Sequence, residues 1–352
     1  MTLKVGAARV TLGGVPERDS QLDLFTGAPS PRPTSVGPAE APEEVRALGA
    51  RLPQGLYLGT SSWTFPGWKG LVYDREATST RLSREGLAAY GQHPVLRTVG
   101  VDRTFYGPVP AATFTAYAAQ VPPGFRFLVK AHEACTLARW PLHPRYGNVR
   151  GQPNPRFLDA AYARDAVVAP FVEGLGEKAG PLVFQLPPQD PQELGGPEAF
   201  AERLHAFLTA LPRGPLYAVE VRNEALLTDA FAQALSAAGA CPVLAAWRDM
   251  PPVERQALLT RALHARALVV RWMLPPGLEY EEARRRYYPF NRLVEEDVPT
   301  REAIARVCVA ALRAGRPAFV TLNNKAEGSA PLSALRLASS VVSRAENTAT
   351  VE

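Results

Sequence analysis

A glutamate and an arginine two residues apart close an apolar run, Leu216-Tyr217-Ala218-Val219-Glu220-Val221-Arg222. On an extended strand side chains alternate between faces, so Tyr217, Val219 and Val221 share one side and Ala218, Glu220 and Arg222 the other. A carboxylate able to take a proton and a guanidinium able to hold a phosphate would then stand together at the C-terminal end of a strand. That is where α/β folds keep their chemistry. The same two residues also suit a structural ion pair tying strand ends together.

Other apolar runs end in polar groups too. Ser61, Ser62 and Trp63 follow one run, and Asp102, Thr104, Phe105 and Tyr106 the next; Lys130 and His132, then Gln185, follow the third and fourth. Further on come Trp247, Arg248 and Asp249, then Arg271 and Trp272, then Asn323, Asn324 and Lys325. Charged side chains are rarely buried without a partner, so Lys130, Glu220, Arg222 and Arg271 either neutralise one another or surround a ligand.

Elements must exist to position these groups. Short apolar runs at Tyr57–Ser61, Leu96–Val101, Phe125–Lys130, Leu182–Leu186, Tyr217–Val221, Val243–Ala246, Leu268–Arg271 and Ala318–Leu322 read as strands. Each is followed by a helical pattern: Ser83–Tyr90, Ala112–Gln120, Pro155–Leu175, Pro197–Leu211, Ala225–Ala238, Val253–Ala265, Arg301–Ala314 and Leu332–Ser343. Pro197 just inside a helix start, and Gly239 and Gly315 just past helix ends, are the expected punctuation. Strand and helix alternating eight times predicts a TIM-barrel-like (β/α)8 domain over residues 55–345, with a doubly wound open sheet as the other arrangement. Residues 346–352 read as a tail.

Residues 1–54, rich in Pro, Gly, Ala and Ser, show no apolar period and read as a disordered arm. Within it Gln21-Leu22-Asp23-Leu24-Phe25 resembles the short peptide that bacterial DNA-repair and polymerase proteins insert into the sliding clamp. A flexible segment presents Leu24 and Phe25 to an apolar pocket while Gln21 makes polar contacts. The other reading is that Leu22, Leu24 and Phe25 staple the arm to the domain.

With 352 residues, 46% hydrophobic and 21% charged, the chain has material for a large core. Cys135, Cys241 and Cys308 are odd in number and far apart, which argues against a disulfide framework or zinc knuckle and for a reducing cytoplasm. Neither a signal peptide nor a membrane span is expected. A net charge of +5 mildly favours polyanionic partners.

Together these residues resemble the DUF72 (YecE-like) family. The likeness runs through Gly59-Thr60-Ser61-Ser62-Trp63 with Trp68 and Tyr73, then Thr104-Phe105-Tyr106, Phe127-Leu128-Val129-Lys130, Phe184-Gln185-Leu186-Pro187-Pro188, Val219-Glu220-Val221-Arg222 and Asn323-Asn324. It implies a TIM-barrel-like fold and an activity that is not established. Where the family usually has a Glu and an Asn before the Phe-Tyr pair, this chain has Gly100 and Asp102; three family His positions carry Leu137, Trp272 (with Met273) and Lys325.

Zinc hydrolysis needs three or four converging ligands, and His93, His132, His143, His205 and His264 do not supply a set; His132 is the best placed for catalysis. Asp102, Glu220 and Asp249 would permit a divalent ion such as magnesium. No nucleophile elbow or nucleotide-cofactor glycine loop is present. Cations beside Trp63, Trp68, Phe105, Tyr106, Trp247 and Trp272 suit a phosphorylated sugar or a nucleic-acid strand. The expectation is a clamp-tethered, DNA-associated phosphodiester hydrolase. Glu220, Lys130, His132 and Asp102 are its catalytic candidates. Ser61, Ser62, Trp63, Phe105, Tyr106, Gln185, Arg222, Arg271, Asn323 and Asn324 are its ligand contacts. A sugar-phosphate enzyme and a non-catalytic binding adaptor are the alternatives.

Overall fold

The protein is described by a computed structural model covering residues 35–275 and 277–349. The Gln21–Phe25 segment lies outside those residues. Eight parallel strands close into a barrel in sequence order: β1 (Leu56–Thr60), β2 (Leu96–Val101), β3 (Arg126–Lys130), β4 (Ala179–Gln185), β5 (Leu216–Glu220), β6 (Cys241–Ala246), β7 (Leu268–Trp272) and β8 (Ala318–Leu322). Closure is made by β1 pairing with β8, Leu56 opposite Ala318 through Thr60 opposite Leu322. The open sheet is thereby excluded.

Eleven helices surround the barrel among the described residues: α1 (Glu43–Arg51), α2 (Ser79–Tyr90), α3 (Ala111–Ala118), α4 (Ala160–Ala163), α5 (Ala169–Leu175), α6 (Pro197–Ala210), α7 (Asp229–Ala238), α8 (Val253–Leu259), α9 (Tyr280–Tyr287), α10 (Val298–Arg313) and α11 (Ala330–Ala349). Local chemistry sets their ends. Thr78, Thr228 and Asp297 accept the backbone N–H of Arg81, Phe231 and Thr300, capping α2, α7 and α10. Gly239, at φ +67°, ends α7 in the left-handed region.

Period-2 alternation sorts the strand side chains into two cores. Leu128, Val183, Ala218, Val243, Val269 and Phe319 fill the barrel interior. Phe127, Phe184, Val219, Leu244 and Val270 face out to join the layer shared with the helices. Gly59 is required where β1 and β2 touch, because a Cβ there would lie 1.8 Å from Thr98 O.

Three expected boundaries move. Residues 35–54 are not a disordered arm. Val36 is buried, Pro38 bridges Tyr73, and Arg51 of α1 pairs with Glu346 at 2.5 Å. The helix was hard to read because its buried contact is a glycine: a Cβ on Gly49 would meet Pro94 O at 2.6 Å. The expected tail also starts too early, since α11 runs to Ala349. Pro155–Leu175 is not one helix. A loop, α4, a π-helical turn at Arg164–Val168 and α5 replace it, and Pro170 near the start of α5 has no N–H to continue the α ladder. The three cysteines are unpaired and buried. No helix among the described residues is long and apolar enough to cross a membrane.

Candidate functional site

The inward-facing ends of β2 to β7 meet at the C-terminal mouth of the barrel. Glu220, the last residue of β5, is completely covered, and Gln185 of β4 and Arg271 of β7 are 4% and 3% exposed. Arg271 Nη1 donates to Glu220 Oε2 at 2.5 Å and to Gln185 Oε1 at 3.0 Å. Arg222 reaches the same pair from just beyond β5. Its Nε donates to Glu220 Oε1 at 2.8 Å, and its Nη2 donates to Gln185 Oε1 at 3.2 Å and Met273 Sδ at 3.1 Å. The guanidinium lies 4.4 Å from the centroid of the Trp247 ring.

Lys130, ending β3, adds the third cation. Its Nζ is 3.2 Å from Asp102 Oδ1 and 5.3 Å from the centroid of Phe105. Asp102 also lies 3.9 Å from Arg271 Nη2. Three cations, Lys130, Arg222 and Arg271, thus face two carboxylates, Asp102 and Glu220, an excess of one positive charge.

The electrostatics divide these groups by role. Burial alone would raise the Glu220 carboxyl, but Arg271, Arg222 and Lys130 outweigh it and hold it down at about 2. An anion so stabilised is a weak proton acceptor at neutral pH, and its geometry is that of an anchor orienting two guanidiniums. Lys130 moves the other way: burial, then repulsion from Arg271, lowers its ammonium to about 8 despite Asp102 and Glu220. A group titrating there is matched to proton transfer near neutrality.

Around this nearly covered centre is an open rim. Tyr106 is 65% exposed, and the Arg145 guanidinium lies between its ring and that of Tyr146, 4.9 and 4.5 Å from the centroids. Arg145 is tied to the buried Glu133 at 2.7 Å, whose carboxyl is raised by burial against the opposing pull of Tyr146 and Arg145. Across the mouth, α9 exposes Arg284 and Arg285, and Tyr288 follows it, 75% exposed. The segment after β7 packs Leu274, Leu278, Ala283, Tyr287 and Phe290 into a small core of its own against Phe65 and Trp247. Lys325 Nζ holds it, lying 4.0 Å from the Tyr280 centroid and 5.8 Å from that of Phe290.

Of the residues singled out from the sequence, Lys130, Asp102, Gln185, Glu220, Arg222, Arg271 and Phe105 are brought together, with Tyr106 at the rim. Others are engaged elsewhere. His132 Nδ1 is bonded to Tyr162 Oη at 2.5 Å, and burial followed by Arg156 lowers its pKa, so it is a neutral ring held outside the ion network. Ser61 Oγ donates to Leu322 O, Ser62 Oγ bonds Thr64 Oγ1, and Trp63 Nε1 donates to Leu82 O. Asn324 is buried as a structural joint, its Oδ1 accepting from Trp68 Nε1 at 3.2 Å and Ala330 N at 2.8 Å. Asn323 Oδ1 accepts the Lys325 N–H. The suggested magnesium set does not converge: Asp102 and Glu220 face cations, and Asp249 binds Arg248 at 3.0 Å. Among the described residues no three His, Cys, Asp or Glu side chains gather as a metal would require.

Two features escaped the sequence reading. Met273 lies two residues beyond Arg271, so strand alternation was a signal for it. The Glu133–Arg145–Tyr146 cluster is built by a loop with no periodic signal. Gly100 also acquires a reason, because a Cβ there would sit 2.7 Å from Ser61 O; a longer side chain at this point needs the β1 end to shift.

The DUF72 family, described as a protein family of unknown function, matches residues 57–352. Two solved DUF72 structures share the fold. The Enterococcus faecalis protein is 15% identical, with a TM-score of 0.53 over 81% of this chain and 95% of that one. The Thermotoga maritima protein is 19% identical, with a TM-score of 0.52 over 80% and 97%. No curated protein matches the chain. With the barrel, its strand-end residues and a family match spanning the whole barrel, the chain belongs to the DUF72 family.

Proposed function

We propose that the barrel mouth binds the phosphates of a nucleic-acid strand, with the rim aromatics stacking on its bases. The observation that carries this reading is the excess of cations over carboxylates in a nearly covered site, Lys130, Arg222 and Arg271 against Asp102 and Glu220. Such a surplus is relieved by an anion. The exposed Tyr106 and Arg145 with the half-buried Tyr146 on one side, and the exposed Arg284, Arg285 and Tyr288 on the other, supply backbone and base contacts of the kind single strands use. If the bound phosphodiester is cut, Lys130 rather than Glu220 transfers the proton. Gln21, Leu22, Leu24 and Phe25 would tether the protein to the sliding clamp in the cytoplasm, a compartment that suits three unpaired thiols.

Fluorescence anisotropy with a labelled single-stranded oligonucleotide tests the mouth. Binding should weaken with salt by a slope of about −0.7 per phosphate contacted, and Arg222→Ala should weaken it further. Affinity indifferent to both salt and Arg222 would sink the reading. Titrating a peptide of residues 18–28 into a bacterial sliding clamp tests the tether; no binding removes it.

A sugar phosphate is the second reading, favoured by the depth of the site: Lys130, Gln185 and Arg271 are each at most 9% exposed. One phosphate on a small ligand needs less of the mouth opened than a strand does.

A further inference from the structure

Phosphate binding alone does not account for the setting of Lys130. A lysine that only holds phosphate works best as a well-solvated, fully charged point cation. Lys130 is instead covered, with the Phe105 ring at 5.3 Å and Asp102 Oδ1 at 3.2 Å from its Nζ. Its backbone is fixed as well, since Lys130 O accepts from Thr104 Oγ1 at 2.7 Å and the next N–H donates to Val183 O. Desolvation and neighbouring cations are the conditions that give a lysine amine a usable lone pair. Both are present: burial first and Arg271 second bring this ammonium to about 8.

We propose that Lys130 is a nucleophile that forms an imine with an aldehyde or ketone bearing a phosphate, whose phosphate the Arg222 and Arg271 guanidiniums receive. The ligand class is the open-chain form of a small sugar phosphate. The neutral amine attacks the carbonyl carbon, forming the C–N bond as the C=O π pair moves to oxygen. That oxygen takes up a proton while the nitrogen loses one, and Asp102, within 3.2 Å, is placed to carry it. The carbinolamine expels water as a second N–H proton leaves, and the C=N bond forms. One water is released, and nothing is oxidised or reduced. The proposal rests on the mouth being a phosphate site and deepens the sugar-phosphate reading.

Reductive trapping tests it on the whole chain. Glyceraldehyde 3-phosphate and unphosphorylated glyceraldehyde are each incubated with the protein and cyanoborohydride, and adducts are mapped by mass over the five lysines, Lys4, Lys69, Lys130, Lys178 and Lys325. The expected result is a dominant adduct on Lys130, formed at least about tenfold faster with the phosphorylated aldehyde, slowed by inorganic phosphate and rising with pH through a midpoint near 8. Lys130→Arg, checked for folding by circular dichroism, should lose it, and Asp102→Asn, checked the same way, should slow it above the midpoint, where the amine is already neutral and only the proton carrier is lost. No adduct on Lys130, or labelling confined to other lysines, overturns the imine. If an oligonucleotide still binds in that case, the phosphate reading survives on its own. Equal labelling of Lys130 by both aldehydes overturns the phosphate half of the proposal, and the phosphate reading of the mouth falls with it only if oligonucleotide binding is also indifferent to salt and to Arg222→Ala.

Discussion

The centre of the mouth and its rim use the same chemistry, arginine beside an aromatic ring, in opposite physical settings. At the centre Arg222 stacks on Trp247 and binds a carboxylate that is completely covered. At the rim Arg145 stacks on Tyr106, which is 65% exposed. Buried ions cannot be rearranged cheaply, because each is compensated only by its present partners. Exposed pairs are screened by water and contribute little to folding. The centre is therefore a fixed electrostatic template; at the rim Arg145 stays tied to the buried Glu133, while exposed side chains such as Tyr106, Arg285 and Tyr288 can adapt to whatever the template holds.

The largest effect should come from breaking the centre. Glu220→Gln leaves Arg222, Arg271 and Lys130 without their shared anion and should cost about 3–5 kcal/mol in urea unfolding; a loss below about 1 kcal/mol would mean that the centre is no template. Acid should act in the same direction. With the carboxyl lowered from its ordinary 4.5 to about 2 in the fold, Glu220 contributes stability that is fully present above pH 4.5 and lost as pH falls toward 2. Wild-type protein should lose that increment on acid titration, and the Gln variant should not.

At the rim the order reverses, with binding affected more than stability. Tyr106→Ala should weaken oligonucleotide binding by about 1 to 2 kcal/mol, roughly five- to thirtyfold, through lost stacking, while unfolding changes by less than about 1 kcal/mol. Arg285→Ala should change the salt slope by about one phosphate's worth, about 0.7, with no measurable change in melting. The smallest effect is expected at His132. His132→Gln should leave strand affinity within about twofold, because the ring is engaged with Tyr162 outside the network; a larger loss would return this histidine to the site.

The barrel was readable because each strand is buried on both faces, which produces short apolar runs that few other arrangements require. Residue type and strand position together also found the central network, since a charge at the inward end of such a run has few places to go. Type alone misled at Asn324. A carboxamide that caps a helix and one that grips a ligand are the same residue in the chain, and only the contacts with Trp68 and Ala330 separate them. Helix α1 was hidden for another reason, since beside Gly49 it docks through only two partly buried apolar side chains, Val45 and Leu48, too short a stripe to read. The Glu133–Arg145–Tyr146 cluster depends on loop geometry that has no period.

The Asn324 joint has a consequence for the order in which the molecule can be made. Its Oδ1 joins Trp68, from the loop after the first strand, to the start of α11, and β1 finds its second neighbour only in residues 318–322. During synthesis the edge of β1 and the indole of Trp68 wait for almost the entire chain. A ribosome carrying the first half of this protein has made only β1, β2 and β3, and strand edges left unpaired until β8 is added are prone to associate with other strands.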